Sequence, residues 1–566
     1  MKSYYSIFIF AALFAAVACN SKSPNNKYNA MEQQFIDFVK KHNTVVEPLY
    51  KNLTTAYFDA SISGADEDYN KAAVYELELT KVYTSAEDFA VLKKFVESGE
   101  IIDSLLKQEL NVLYNAYLAN QADPVMLEEM INLATSIEQK FSVFRAEVNG
   151  KKLSDNDIED ILSKSTMSTE VETAWKEAKK LGPVVADDII QLVKMRNKLA
   201  QSLGFSNYHD MSLRLSDQNP EEISRIFDEL DALTRSAFED LKDEIDVYLS
   251  KKFNVSKDQL MPWHYQDRFF QEAPKMYEID LDKYYAHCNI EKITIDYFAS
   301  IGLDITDMIA NSDLYEKEGK NQHAYCISID KAGDVRVLCN IKPNSKWMNT
   351  MLHEFGHAVY DKYIDADLSF NLRDPAHTFT TEAIAMLFGR MASNAVWMRD
   401  MGIVDASEAA VIAETGMLSL RLEQLVFSRW AQVMYRFEKA MYENPDCDLN
   451  TLWWDLVEQY QLLQRPPKRN MPDWATKTHI ASSPCYYHNY LLGELLASQL
   501  NYYISTNILK TEDYMHQSYF GNKQVGEYLI EKVFMPGARY HWNDMIEKAT
   551  GEELTAKYYA MQFVEK

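Results

Sequence analysis

The amino-acid sequence predicts a mostly α-helical protein, built as one large body around a cleft and carrying a small antiparallel β element. Amphipathic segments follow one another from about residue 31 to residue 320 and resume after a short alternating stretch. Only 17 glycines and 15 prolines occur among 566 residues, which disfavours long flexible linkers. No repeat and no shift in composition divides the chain. We therefore expect residues 30–566 to form a single domain with two halves around the cleft.

Helical periodicity is clear in both halves of the chain. One apolar stripe at helical spacing consists of Leu106, Leu110, Leu113 and Tyr117. A longer stripe from Leu418 to Phe437 predicts one helix that ends before Asn444-Pro445. Another helix is expected to begin at Ser483-Pro484, because serine caps helices and proline suits the first turn.

A β hairpin is predicted between His323 and Ile341, where apolar and polar residues alternate on both sides of Ala332-Gly333. If Ala332-Gly333 is a two-residue turn, Cys326 and Cys339 stand opposite each other across the strands. The sequence therefore raises the hypothesis of a cross-strand disulfide. The cysteines that follow residue 19 are too few and too scattered for a disulfide scaffold.

The charge balance is strongly acidic, with 84 Asp and Glu against 58 Lys and Arg and a formal net charge of −26. No run of Lys and Arg is dense enough to bind along the phosphates of a nucleic acid, so we expect no nucleic-acid partner. The excess acidity disfavours acidic ligands and favours basic ones, although solubility alone also explains it.

The N-terminus has the pattern of an exported protein. Lys2 precedes an apolar run from Tyr4 to Val17 that is too short to span a bilayer, so residues 1–18 are predicted to be a signal peptide. The junction at Cys19 resembles a bacterial lipobox, with Ala16 in place of the usual Leu. Residues 19–29 then form a tether with a lipidated Cys19, or the protein is secreted without lipid. Either way, we expect a periplasmic or outer-membrane protein with membrane contact only through that anchor.

A zinc-binding motif, H-E-x-x-H, lies at residues 353–357. His353 and His357 are four apart, so on a helix they project from the same face and can bind one tetrahedral zinc ion. Glu354 between them is placed to act as a general base. We expect a helix capped by Ser345 to carry the motif. A purely structural histidine pair is the alternative.

Catalytic zinc needs a third protein ligand, and Glu382 is the candidate. It is the single carboxylate in an apolar, helix-like segment at 379–387, where burial without a cation would be costly. The alternative is a glutamate that interacts with the dipole at a helix N-terminus. His377 is a rival ligand, but its position before the helix favours a loop or supporting role.

Donors for a reaction intermediate follow near the C-terminus. His479 precedes a tyrosine-rich segment in which Tyr487, Tyr490 and Glu494 share one helical face. Imidazole and phenol groups are donors that a tetrahedral oxyanion requires. Because the chain contains 35 tyrosines, packing is the competing explanation.

The region from about His323 to Leu500 resembles the angiotensin-converting-enzyme-like zinc dipeptidyl carboxypeptidases and their relatives, the thimet and neurolysin oligopeptidases of the gluzincin clan. The resemblance implies a large helical zincin-type peptidase body split by a deep cleft, with the β element near the active site. It implies that His353, His357 and Glu382 bind zinc and that Glu354 is the general base. These enzymes act on peptides, and we expect a monomer.

The resemblance also assigns roles around the metal. His479 and Tyr490 would bind the oxyanion, with Tyr486 as a competing assignment for Tyr490. Lys477 and Tyr487 would bind the C-terminal carboxylate of the substrate. Gln266, in Trp263-His264-Tyr265-Gln266, would join them, by a fainter match.

Two positions depart from the family pattern. The arginine that binds chloride in the family is Asn489 here, so chloride activation by that route is not expected. The family's aspartate four residues past the third ligand is replaced by Met386 here, so the groups that support the metal ligands must differ.

By the same resemblance, the hairpin with Cys326 and Cys339 corresponds to strands of the family that pair with the substrate backbone and are flanked by a disulfide.

The favoured function is hydrolysis of short peptides with release of C-terminal dipeptides. The alternatives are an oligoendopeptidase of the thimet type and a non-catalytic lipoprotein that binds peptides or glycans and keeps zinc as a structural ion.

Overall fold

The computed structural model describes residues 27–277 and 279–564. Helix accounts for 69% of the structure and strand for 3%, which confirms the mostly helical fold class. Within these residues, no helix combines the length and the apolar character needed to cross a membrane. The predicted signal peptide, Cys19 and most of the predicted tether lie outside the described residues.

The described residues of the N-terminal half form thirteen α-helices and one hairpin, besides short 3-10 turns. The helices are α1 Ala30–Ser63, α2 Asp66–Tyr83, α3 Ala86–Ser98, α4 Ser104–Ala119, α5 Pro124–Val143, α6 Asp155–Lys164, α7 Ser168–Ala178, α8 Gly182–Ser202, α9 Tyr208–Leu215, α10 Pro220–Phe253, α11 Asp282–Tyr285, α12 Ile290–Ser300 and α13 Thr306–Asn311. The hairpin pairs β1 Ala146–Val148 with β2 Lys151–Leu153. This hairpin was not predicted from the sequence.

The C-terminal half begins with a second hairpin, β3 Tyr325–Ser328 and β4 Val335–Leu338. Among the residues described up to 564, ten α-helices follow it: α14 Ser345–Lys362, α15 Thr378–Gly389, α16 Ala395–Asp400, α17 Ala406–Glu443, α18 Leu449–Leu456, α19 His479–Ser482, α20 His488–Tyr503, α21 Lys523–Leu529, α22 Trp542–Thr550 and α23 Lys557–Phe563. The predicted long helix before Asn444 is confirmed as the end of α17.

The N-terminal helices have a small hydrophobic core of their own. It joins α1, α3 and α4 through Phe35, Val39, Leu92, Phe95, Ile101, Leu106, Leu110, Leu113 and Tyr117. This confirms the predicted apolar stripe of α4. Helix α1 also lies against the second hairpin, because Thr54 donates a hydrogen bond to the Ile329 carbonyl at 2.8 Å and Tyr50 donates to the Ser328 carbonyl at 3.2 Å.

The second hairpin has a different register from the predicted one. Cys326 pairs with Val337, so the two-residue turn at Ala332-Gly333 is wrong. The turn is wider because the Asp330 carboxylate accepts the backbone N–H groups of Ala332 and Asp334. Cys326 and Cys339 therefore do not stand opposite each other, and both are free thiols, contrary to the hypothesised disulfide.

Two predicted helix starts also need correction. The cap of α14 is Asn344, whose side chain accepts the Trp347 N–H at 2.9 Å, whereas Ser345 is the first helical residue. The helix expected at Ser483-Pro484 begins only at His488. Cys485 has a left-handed backbone with φ of 56°, which no α-helix can contain.

Helices α14 and α15 pack unusually closely, and a glycine permits it. A Cβ atom on Gly356 would lie 2.8 Å from the Cα atom of Ala385. At the far end of the contact, the Asn349 amide donates a hydrogen bond to the Gly389 carbonyl at 2.8 Å. The side chains that α14 and α15 direct toward each other are therefore held at short range.

We predict that Gly356→Ala destabilises the protein by about 1–3 kcal/mol, because the added methyl group must push α14 and α15 apart. Urea unfolding at fixed pH measures the effect. Gly416→Ala in α17 is the matched control, since a Cβ there meets nothing closer than 3.4 Å. The control is expected to be neutral or stabilising by up to about 1 kcal/mol. Equal stability of the Gly356 variant and the parent would contradict the proposed contact.

Candidate metal centre

Three side chains from α14 and α15 converge as a candidate metal site. Ligand atoms of His353, His357 and Glu382 all lie within 4.8 Å of one another. The Nε2 atoms of the two histidines are 3.8 and 3.9 Å from the same Glu382 oxygen. Zinc bonds to nitrogen and oxygen are about 2.0–2.2 Å long, so one ion can reach all three donors after small side-chain adjustments.

The protonation states suit a cation. Burial lowers the pKa of His353 to about 4, and burial together with His353 lowers that of His357 to about 3. Both imidazoles are therefore neutral at pH 7, with lone pairs free for a metal. Burial raises the pKa of Glu382, which marks a carboxylate that lacks a compensating charge. A divalent cation would supply that charge.

Thr381 supports one of the histidines. Its hydroxyl oxygen is 2.8 Å from Nδ1 of His357. With a metal ion bound at Nε2, Nδ1 would carry the proton and donate it to the Thr381 hydroxyl oxygen. Such a partner fixes the tautomer and the ring orientation of a metal-binding histidine. The sequence indicated only that the usual aspartate is Met386, so Thr381 was missed.

Glu354 lies beside the histidines, on the first turn of the motif. Burial, and then the charge of Glu382, raises the pKa of Glu354 to about 8, while the backbone N–H of Cys326 partly offsets the shift. A carboxyl group with a pKa in this range can exchange a proton near neutral pH.

These residues line a cavity of about 610 Å³, which we call the metal-side cavity. Its walls are the three candidate ligands, Glu354, strand β3 with its flanking residues, and the segment that leads into α15. The lining residues are Tyr50, Ala324, Tyr325, Cys326, Ile327, Ser328, His353, Glu354, His357, Asp361, Arg373, Asp374, Pro375, Thr378, Thr381 and Glu382. The cavity is large enough for several residues of a peptide.

A second cavity of about 640 Å³ contains the other predicted site residues, and we call it the lysine-side cavity. Gln266, Lys477, His479, Tyr487 and Tyr490 all line it. The structure thus brings Gln266 together with four residues of the 477–490 segment, more than 200 positions later in the sequence.

Lys477 is buried and has both a polar and an aromatic environment. Its Nζ donates a hydrogen bond to Gln271 at 2.6 Å and lies 5.2–5.4 Å from the ring centroids of Phe269, Trp430 and Tyr487. Burial lowers the pKa of Lys477 to about 8. A ligand carboxylate would stabilise the charged ammonium form. Gln271 and Trp430 were not recognised in the sequence.

The predicted oxyanion donors His479 and Tyr490 lie on the wall of the lysine-side cavity. His479 stacks edge-on against Tyr487 with ring centroids 5.2 Å apart, and Tyr487 is 5.4 Å from Tyr490. Glu382 contributes to the raised pKa of both Tyr490 and Tyr486, so both phenols are near the candidate metal centre. Only Tyr490 of these two lines the lysine-side cavity.

The short helix α19, which begins at His479, and the turn after it are anchored to the body by buried groups. Arg196 donates a hydrogen bond to the carbonyl of Ala481 at 2.6 Å. The Glu438 carboxyl accepts the N–H of Cys485 at 2.9 Å, and burial raises its pKa to about 8. The left-handed turn at Cys485 is thereby fixed, and it sets the direction in which α20 begins.

Two further predicted positions have structural roles. His377 caps α15, with Nδ1 accepting the Phe379 N–H at 3.1 Å, and is not among the converging ligands. Asn489 is buried and accepts a hydrogen bond from Gln218 at 2.8 Å, and Gln218 also contacts His488 at 2.7 Å. A neutral network thus occupies the position of the family's arginine.

Comparisons with known proteins agree with this geometry. A family model described as angiotensin-converting enzyme, peptidase family M2, matches residues 29–564. Carboxypeptidase 1 of Bacillus subtilis is 26% identical over 260 residues, which are 42% of this chain and 50% of that protein. Thermostable carboxypeptidase 1 of Pyrococcus furiosus is 23% identical over 234 residues, 38% of this chain and 46% of that protein. The chain spans about half the length of these curated relatives.

We predict that Thr381→Val lowers zinc affinity about 10- to 100-fold, because the Nδ1 group of His357 loses its hydrogen-bond partner. Competition with a chromogenic chelator measures the affinity without any assay of turnover. Thr381→Ser keeps the hydroxyl group, so the hydrogen bond to Nδ1 of His357 is retained. Its zinc affinity is therefore expected to be within about twofold of the parental affinity. Parental affinity in the valine variant would contradict the assignment.

Proposed function

This chain belongs to the angiotensin-converting enzyme family of peptidases, and from that premise we propose that it hydrolyses short peptides with zinc held by His353, His357 and Glu382. The observation that supports the proposal is the convergence of these three donors beside Glu354 in a cavity of peptide size. Two neutral imidazoles and one carboxylate are a donor set suited to catalytic zinc with an open position.

Zinc bound there supplies a Lewis acid that polarises the scissile carbonyl and acidifies water. Glu354 is the general base in this proposal. It takes a proton from the attacking water and gives it to the nitrogen of the leaving amine, so the carboxyl group ends each cycle as it began. Its place in the wall of the metal-side cavity, next to the three candidate ligands, supports this role.

His479 and Tyr490 are the proposed donors to the oxyanion, and Tyr486 is the alternative to Tyr490. Burial, and then Lys477, lowers the pKa of His479 to about 4, so its neutral ring has one N–H to donate. Fixed donors at the edge of a buried cavity stabilise the developing negative charge without reorganisation.

The lysine-side cavity supports an exopeptidase. Lys477, Tyr487 and Gln266 provide a cation, a phenol and an amide, which together suit the C-terminal carboxylate of a peptide. We propose that carboxylate binding there positions the second peptide bond from the C-terminus at the metal, so that a dipeptide is released. The names of the two curated relatives, both carboxypeptidases, also favour cleavage from the C-terminus. An oligoendopeptidase is the alternative.

The location belongs to the proposal as well. The signal-peptide pattern of residues 1–18 supports an enzyme exported to the periplasm or anchored to the outer membrane through a lipidated Cys19.

We predict that Glu354→Gln retains zinc but loses at least about 10²- to 10⁴-fold in kcat, since the amide cannot accept the proton. Turnover of a defined decapeptide is followed by mass spectrometry, and zinc content by elemental analysis. Glu128→Gln, an exposed position on α5, is the charge-matched control and is expected to keep parental kcat. If Glu354→Gln turned over the peptide at the parental rate, Glu354 would not be the general base.

Amidation of the peptide C-terminus distinguishes the two modes of cleavage. For a dipeptidyl carboxypeptidase, we predict that kcat/KM falls about 10- to 100-fold, the effect of a lost hydrogen bond to a charged group. Lys477→Gln is expected to weaken this preference for the free acid. An oligoendopeptidase would cleave the acid and the amide at similar rates.

A further inference from the structure

The metal-side cavity contains a carboxylate that the proposed reaction does not use. Asp361 lies on α14 one turn beyond His357, and it lines the same cavity. It is partly buried, and no hydrogen bond or salt bridge joins its carboxylate to any residue that the structure describes.

The nearby cations are already engaged elsewhere. Lys331 forms a salt bridge with Asp374 at 2.5 Å and lies over the ring of Tyr50 at 4.8 Å. Arg373 uses Nε to donate a hydrogen bond to the Leu368 carbonyl at 2.7 Å. Neither cation is within salt-bridge distance of Asp361 among the described contacts.

The local electrostatics are therefore unfavourable for the free carboxylate. Burial, and then the neighbouring Asp374, raises the pKa of Asp361 to about 7, and Lys331 offsets only part of this shift. A carboxyl group in such surroundings gains from a cation that enters the cavity. Glu382 showed the same pattern, and there the converging histidines identify the missing partner as a metal ion. Asp361 belongs to no group of three or more converging metal donors within the described part of the chain.

We propose that Asp361 is a specificity-determining residue that binds a cationic group of the peptide on the N-terminal side of the scissile bond. The cation is the side chain of lysine or arginine, or the amino terminus of a short peptide. The proposal rests on the proposed function. With the C-terminal carboxylate in the lysine-side cavity, the upstream residues enter the metal-side cavity, where Asp361 lies.

The test measures kcat/KM of the zinc-loaded full chain on N-acetylated peptides. Lysine is placed at each of the three positions upstream of the scissile bond and compared with norleucine, which has a similar length and no charge. We expect lysine to be preferred at least about tenfold at one position, the effect of one hydrogen-bonded charge. Asp361→Asn should bring that ratio close to one, and Asp361→Glu should retain most of it.

Asp367→Asn, an exposed position just beyond α14, is the matched control and should keep the parental ratio. A second arm compares free and acetylated amino termini on norleucine peptides of increasing length. If the amino terminus is the cation, the free amine is preferred at one length, and Asp361→Asn abolishes that preference.

The outcomes separate this inference from the proposed function. Zinc-dependent cleavage of norleucine peptides with no preference for a cation in either arm would overturn the role of Asp361 alone. A preference that survives in Asp361→Asn would also overturn it. Failure of the zinc-loaded parent to cleave any of the peptides would overturn both. The parental ratios need no variant and can overturn the inference by themselves. If Asp361→Asn fails to fold, Asp361→Glu carries the test, since loss of the preference in this charge-retaining variant would overturn the role of Asp361.

Discussion

The contact between Gly356 on α14 and the backbone of α15 is the constraint on which the candidate site depends. The two histidines belong to one helix and the glutamate to the other, so their separation is set by how closely the helices approach. A side chain at Gly356 would meet the Cα atom of Ala385 at 2.8 Å. A third helix joins this pair at Gly493, whose added Cβ would lie 3.3 Å from Cβ of Glu382. Three helices thus define the position of one carboxylate.

The electrostatics of the site follow from this close packing. Desolvation leaves the histidines neutral and raises the pKa values of Glu354 and Glu382, which prepares the centre for a cation and for proton transfer. The lysine-side cavity has the opposite character, since its ammonium group is desolvated and suits an anion. In the proposed function, a peptide that spans both cavities would meet a cation near its C-terminus and uncompensated carboxylates upstream. The opposite charges of the two cavities would then favour one orientation of the substrate.

Much of this arrangement could be predicted from the sequence, because certain features depend on local spacing. The four-residue step from His353 to His357 needs only a helix, and the apolar stripe of α4 needs only its periodicity. Features that depend on tertiary contacts were missed. The hairpin register depends on how the Asp330 side chain organises its turn. The late start of α20 depends on Glu438, which is 47 residues away and holds the Cys485 N–H. Thr381 and Gln271 acquire their roles only through partners that are remote in the chain.

The first turn of α20 is held by hydrogen bonds among Gln218, His488 and Asn489. These groups are buried, and burial keeps the pKa of His488 well below its usual range, so the network carries no charge near neutral pH. Dissolved salt screens interactions between exposed ions but has little effect on buried, uncharged dipoles. The phenol-bearing end of this helix should consequently keep its position in both dilute and saline surroundings.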